Sequence, residues 1–97
     1  RELQEETGFT TDNLEHLMSF WATPGFCDEF MHAYLARGLR QGSPEHQPDS
    51  DEEIQEVVRV PLYGTAEMIQ RGEIRDAKSI ASLLMALRIM EQEELDR

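Results

Sequence analysis

The spacing of apolar residues predicts a long amphipathic helix near the carboxyl end of the chain. There the apolar positions recur every three or four residues: Ile80, Leu83, Leu84, Leu87 and Met90. The predicted solvent face is polar, and it consists of Lys78, Ser82, Arg88 and Glu91. Asp76 stands where a helix N-cap is expected, because its side chain can accept a hydrogen bond from the first turn.

Two segments in the first half of the chain alternate in a way that predicts strands. The first covers residues 14–22, and one face is expected to carry Leu14, His16, Met18, Phe20 and Ala22, opposite Leu17, Ser19 and Trp21. The second covers residues 29–39, with Phe30, His32 and Tyr34 on one face and Met31, Ala33 and Leu35 on the other. The sequence Thr23-Pro24-Gly25 between them predicts a turn.

The remaining segments complete an α+β pattern. Residues 1–7 are expected to be the end of a helix capped by Gly8, and residues 63–71 a short helix followed by Gly72 as its cap. Residues 41–53 are expected to form a loop, and the β-branched residues 56–60 a short strand that ends at Pro61. No internal repeat is present.

Composition narrows the function classes. Ninety-seven residues suit one small domain, and the net charge of −11 argues against binding to nucleic acid or an acidic membrane. Cys27 is the only cysteine, so no intrachain disulfide can form, and a reducing cytoplasm is the simplest setting. There is no Cys/His zinc spacing and no apolar run of about 18 residues, so neither a zinc site, secretion nor a membrane span is indicated.

Three glutamates near the start of the chain are the first candidate chemistry. Glu2, Glu5 and Glu6 are spaced i, i+3 and i+4, which places them on one helix face. Like charges at this spacing oppose helix formation unless a cation binds them. Oxygen ligands suit Mg²⁺ or Mn²⁺ rather than zinc or copper. The alternative is a surface helix with scattered acidic residues.

The same stretch resembles the second half of the Nudix box, which reads Arg-Glu-hydrophobic-x-Glu-Glu-x-Gly-hydrophobic. Every specified position is filled: Arg1, Glu2, Leu3, Glu5, Glu6, Gly8 and Phe9. The resemblance implies that Glu2, Glu5 and Glu6 bind the metal and that Arg1 orients them. It also implies a mixed sheet between helices, of which residues 1–97 would be the carboxyl-terminal part of a single domain. Strands that precede the box in that family would be needed to complete the sheet.

A second stretch is similar to the ADP-ribose pyrophosphatase subgroup of that family. Pro24 lies 16 residues after Gly8, about where the subgroup has Ser/Thr-Pro-Gly followed by a glutamate. Thr23, Pro24, Gly25 and Glu29 are the matching residues, and the resemblance implies that they contact the ribose and diphosphate of the substrate. Considered without the resemblance, the stretch is a hairpin turn with an acidic flank.

A third stretch is the acidic run Asp51-Glu52-Glu53 before Glu56. In the subgroup an acidic loop at this place supplies the general base, so Glu53 and Glu52 are the candidates and Asp51 is the third. The choice among them stays open, and a solvated loop is the alternative.

Together these resemblances imply Mg²⁺-dependent hydrolysis of ADP-ribose to AMP and ribose 5-phosphate by an intact parent protein that is a cytoplasmic homodimer. Alternatives are hydrolysis of a sugar nucleotide or dinucleotide, or a Nudix-fold binding module without catalysis. The 97 residues alone are expected to be inactive.

Overall fold

The computed structural model describes residues 2–26, 28–42 and 58–97. It shows helices together with antiparallel sheets, which confirms the α+β class. By its internal contacts the chain divides into two units: Arg1–Glu15 with Ala36–Arg59, and His16–Leu35 with Val60–Arg97.

The first unit begins with a short helix. Helix α1 covers Glu2–Thr7 and ends at Gly8, whose φ of 81° and whose N–H bond to the Gln4 carbonyl (2.8 Å) are those of the predicted glycine cap. Strand β1, Phe9–Thr10, follows directly. It pairs antiparallel with β4, Arg40–Gln41, in the register Phe9↔Gln41.

This small sheet was not predicted, because two-residue strands leave no alternation to recognise. The position of β4 also corrects two predicted boundaries. The second predicted strand was expected to run to residue 39, and a loop was expected to start at residue 41. Gly38, with a φ of 62°, instead lies between the strand Phe30–Arg37 (β3) and β4. Beside the sheet, Arg40 donates two hydrogen bonds of 2.9 and 3.0 Å to the carboxylate of Asp12. These hydrogen bonds, together with the Arg40 charge, lower the pKa of Asp12.

The two predicted longer strands form a hairpin. Strand β2 covers Asn13–Trp21 and β3 covers Phe30–Arg37, and the two are hydrogen-bonded neighbours. Exposure alternates along β3 as predicted, with Phe30, His32 and Tyr34 exposed and Met31, Ala33 and Leu35 partly buried.

The structure corrects the predicted assignment of residues to the two faces of β2. His16 Nε2 lies 2.8 Å from Ser19 Oγ, which in turn lies 2.8 Å from His32 Nδ1. His16 and Ser19 therefore share a face, although strict alternation puts residues three apart on opposite faces. One extra residue in the strand, as in a β-bulge, switches the alternation in this way. Trp21 also lies on the face of Phe30, with ring centroids 4.9 Å apart.

The carboxyl-terminal part of the second unit is helical. A 3-10 turn over Leu62–Gly64 leads into α2, Thr65–Gln70, and Gly72 follows with a φ of 82°. Thr65 is fully buried, and its hydroxyl donates a 2.7 Å hydrogen bond to the Leu62 carbonyl. No strand is assigned to residues 58–60, and residues 56–57 of that predicted strand lie outside the described residues.

Helix α3 covers Ala77–Leu95 and begins at the predicted cap: the Asp76 carboxylate accepts a 2.8 Å hydrogen bond from the Ser79 N–H. Its buried side is turned slightly from the prediction, because Ala86 is the buried residue while Leu84 is 42% exposed. Within the described residues, no helix combines the length and the apolar character needed to cross a membrane.

Candidate active site

Helix α1 carries the predicted metal ligands. Glu2, Glu5 and Glu6 all lie within its helical backbone, so their spacing places the three positions on one face. Glu5 and Glu6 are exposed. Arg1, predicted to orient these glutamates, lies outside the described residues.

The carboxyl end of α1 is held by local hydrogen bonds. Thr7 Oγ1 donates to the Leu3 carbonyl at 2.6 Å and accepts from the Phe9 N–H at 3.1 Å. The Gly8 carbonyl accepts a 2.9 Å hydrogen bond from the Gly42 N–H. The turn from α1 into β1 is therefore bonded on both sides of Gly8.

The donor chemistry of α1 fits a hard divalent cation. Mg²⁺ keeps several waters and is commonly held by one or two carboxylates together with substrate phosphates, rather than by a cage of protein ligands. Exposed carboxylates at Glu5 and Glu6 meet that requirement. Within the described part of the chain, no group of three or more His, Cys, Asp or Glu side chains is placed to hold a metal ion.

The predicted substrate contacts come together in the loop of the β2–β3 hairpin. The Phe26 N–H donates to the Thr23 carbonyl at 3.1 Å, and Gly25 has a φ of 83°. Proline followed by a residue of positive φ is the pattern of a type II turn. The Ala22 N–H bonds to the Glu29 carbonyl at 3.0 Å, which closes the loop. The side chains of Thr23, Pro24 and Glu29 are exposed.

The structure does not describe the predicted general-base candidates. Glu52, Glu53 and Asp51 lie outside the described residues. Helix α1 belongs to the first unit and the hairpin loop to the second.

The sequence did not predict one contact next to α1. The Arg59 guanidinium carbon lies 4.8 Å from the centre of the ring of Phe9, the second residue after the helix. Neither residue type nor spacing indicates this, because the two residues are 50 positions apart. His16 and His32 were likewise regarded as scattered, and only the pairing of β2 with β3 brings them to the same serine.

The sequence of the chain is similar to those of several known proteins. The chain is 38% identical over 79 residues to an ADP-ribose pyrophosphatase of Bacillus subtilis (strain 168), an alignment that covers 81% of this chain and 42% of that protein. It is 35% identical over 83 residues to a methanol dehydrogenase activator of Bacillus methanolicus, covering 86% and 44%. It is 31% identical over 86 residues to a GDP-mannose pyrophosphatase of Yersinia enterocolitica, covering 89% and 45%.

The chain thus spans less than half the length of these relatives. The family model of the NUDIX domain matches residues 1–83. That match includes α1 with its glutamates and the β2–β3 hairpin with its turn. The chain belongs to the Nudix family.

Proposed function

We propose that the parent protein of this chain is a Nudix pyrophosphatase that hydrolyses ADP-ribose to AMP and ribose 5-phosphate with Mg²⁺. The observation that carries the proposal is α1, a helix with glutamates at positions 2, 5 and 6 that ends at Gly8, inside the region matched by the family model. The similarity to an ADP-ribose pyrophosphatase of Bacillus subtilis supports the choice of ADP-ribose.

In this proposal the glutamates of α1 hold Mg²⁺ against the substrate diphosphate. Bound Mg²⁺ would offset the negative charge of the diphosphate, which a chain of net charge −11 otherwise repels. Mn²⁺ has the same preference for oxygen ligands. Arg1 would orient the glutamates through a charge-assisted hydrogen bond.

Two further groups complete the proposed chemistry. Glu53 or Glu52 would accept the proton of the water that attacks the diphosphate, the role of a general base. Thr23, Pro24, Gly25 and Glu29 would contact the ribose and diphosphate. The exposed type II turn supports this role, because glycine lets a ligand approach the backbone closely.

We also propose that residues 1–97 are the carboxyl-terminal part of a single Nudix domain. The relatives support the chain being part of a longer protein, since each aligns to it over only 42–45% of its own length. The carboxyl-terminal position is proposed from the resemblance of residues 1–9 to the second half of the Nudix box. A homodimeric, cytoplasmic parent protein is the further expectation, and it is based on the family resemblance and on the single cysteine, Cys27.

The second candidate function is hydrolysis of a sugar nucleotide, supported by the similarity to a GDP-mannose pyrophosphatase. A panel of ADP-ribose, GDP-mannose and dinucleotides, assayed on the parent protein, separates the two by their kcat/KM values. A non-catalytic module is the third possibility, and calorimetric titration of the parent protein with Mg²⁺ would show no binding in that case.

The metal assignment is tested with Glu6→Gln in the parent protein, measured as AMP release at the Mg²⁺ concentration that half-saturates the unaltered protein. We expect a loss on the order of a hundredfold, because the amide removes a charged ligand from the diphosphate-binding cation. Glu67→Gln is the matched control, since Glu67 is an exposed glutamate on α2. A Glu6→Gln rate within a few-fold of the unaltered protein would show that α1 does not bind the metal.

A further inference from the structure

Helix α1 carries glutamates at positions 2, 5 and 6, and their i, i+3 and i+4 spacing places the three positions on one face. Like charges at this spacing oppose helix formation. Contacts that other parts of the chain make at the end of α1 therefore help to hold the geometry of the glutamate face.

One such contact comes from Gly42. Its N–H donates to the Gly8 carbonyl at 2.9 Å, next to the pairing of β4 with β1. A Cβ added at Gly42 would lie 2.8 Å from the side chain of Gln4, which is itself in α1. The backbone at Gly42 thus lies closely against both the helix and its cap.

The second contact comes from Arg59. Its guanidinium carbon lies 4.8 Å from the centre of the Phe9 ring, a distance at which a cation is attracted to an aromatic face. Phe9 is partly buried and follows Gly8 immediately, and its N–H is bonded to Thr7 in the last turn of α1. The position of the Phe9 ring therefore affects the end of α1, because only Gly8 lies between Phe9 and the helix.

We propose that Arg59 is a positioning residue for the glutamates of α1, and that it acts through Phe9. This rests on the proposed function for its catalytic consequence. Arg59 does not contact the metal or the substrate; its guanidinium fixes the ring at the start of β1, and this fixes the direction in which α1 ends. Without it, the glutamate face samples more orientations and binds the cation less tightly.

The first test measures the Mg²⁺ concentration that gives the half-maximal rate of AMP release by the parent protein. We expect Arg59→Ala to raise it roughly two- to fivefold, which is the free energy of an arginine on an aromatic ring at an exposed site expressed as a ratio. The KM for substrate at saturating Mg²⁺ should change by less than about twofold, because the hairpin loop is untouched. Arg59→Lys should keep the Mg²⁺ requirement close to that of the unaltered protein, since an ammonium is also attracted to the ring.

A double-mutant cycle decides whether the effect passes through Phe9. Phe9→Leu keeps an apolar side chain but removes the aromatic face. Its Mg²⁺ requirement should rise as in Arg59→Ala, and the double variant should be no worse than either single variant, because the two share one interaction. Arg71→Ala is the matched control; it removes an exposed guanidinium that pairs with Glu73 at 3.2 Å and belongs to the second unit.

The second test does not depend on turnover. Hydrogen exchange of the peptide that contains α1 and Gly8 should be faster in Arg59→Ala and in Phe9→Leu, because the Gly8 N–H bond to Gln4 opens more often. It should be unchanged in Arg71→Ala. If the unaltered parent protein does not hydrolyse any substrate, the proposed function fails, and the exchange result alone decides whether Arg59 positions α1.

Two results would overturn the proposal. The first is an unchanged Mg²⁺ requirement and unchanged exchange in Arg59→Ala; a lowered melting temperature in that case would mean that Arg59 only stabilises the fold. The second is a double variant whose effect is the product of the two single effects, which would mean that Arg59 acts elsewhere.

Discussion

Gly25 offers the sharpest test of the hairpin turn as a substrate-binding element. Its φ of 83° lies in the left-handed region, and a Cβ at this position would meet no atom of the described residues within 4 Å, its two chain neighbours aside. Replacement by alanine therefore creates no collision within the described residues. The only expected cost is that of holding an alanine in the type II turn.

The magnitude follows from that cost. A residue with a Cβ pays about 1–2 kcal/mol in the left-handed region. The ratio of the original turn to any alternative turn falls by that free energy. If substrate binds only to the original turn and the alternative comes to predominate, the apparent affinity falls by up to the same factor. At about 1.4 kcal/mol per factor of ten, KM should rise roughly 5- to 30-fold. The kcat should change little, because α1 is unaltered.

The assay is AMP release by the parent protein over a range of ADP-ribose concentrations, with Gly25→Ala compared with Gly25→Asn. Asparagine tolerates the left-handed region better than alanine but has the larger side chain. If the backbone conformation matters, alanine is the worse variant. If close approach of the ligand to the backbone matters, asparagine is the worse variant.

Two results would refute this reasoning. A KM within twofold of the unaltered protein in both variants would mean that the turn does not bind the substrate. A melting temperature lowered in both variants without any change in KM would mean that Gly25 serves only the hairpin. Thr10→Ser in the separate β1–β4 sheet is a control expected to leave KM unchanged.

The remaining predictions concern stability, measured by urea unfolding of the parent protein. Asp76→Ala should lower the unfolding midpoint at neutral pH, whereas Asp76→Asn should retain most of it, because the amide oxygen can still accept from Ser79. Hydrogen bonds from Ser79 lower the pKa of folded Asp76. The contribution of Asp76 to stability is therefore complete above the ordinary carboxyl pKa and is lost as pH falls through the lowered value. A difference in unfolding midpoint between the unaltered protein and Asp76→Ala that grows with acid would contradict this. Gly8→Ala should cost about 1–2 kcal/mol, because φ is 81° there, and no loss would show that the cap is dispensable. Thr65→Val should cost about 1 kcal/mol from one lost hydrogen bond, since the Leu62 carbonyl keeps its bond to the Thr65 N–H; a loss of several kcal/mol would contradict this.

Much of the fold could be predicted where a short stretch of chain carries its own signal. The glycine cap at Gly8, the turn at residues 23–25 and the N-cap at Asp76 were all predicted and are confirmed. Each depends on a side chain or a backbone angle acting within three or four residues. The alternation of β3 was predicted for the same reason, since its face is set by the period of the strand alone.

The candidate site was predictable only as residue types at a spacing. The positions of Glu5 and Glu6 on a helix and of residues 23–25 on a turn are as expected. The roles of Arg1, Glu52 and Glu53 stay predictions, because they fall outside the described residues. Mg²⁺ dependence and the choice of substrate stay proposals that the experiments above address.

The sequence by itself determined the local elements and the family, because capping, turn chemistry and the glutamate spacing are encoded within a few consecutive residues. Only the tertiary structure decided which distant residues support them. Arg59 on Phe9 and Gly42 against Gly8 join segments separated by tens of residues, and the shift of His16 onto the face of Ser19 appears once β2 is paired with β3. Such contacts depend on how strands align across space, and a shift of that alignment by one residue moves every side chain of a strand to the other face.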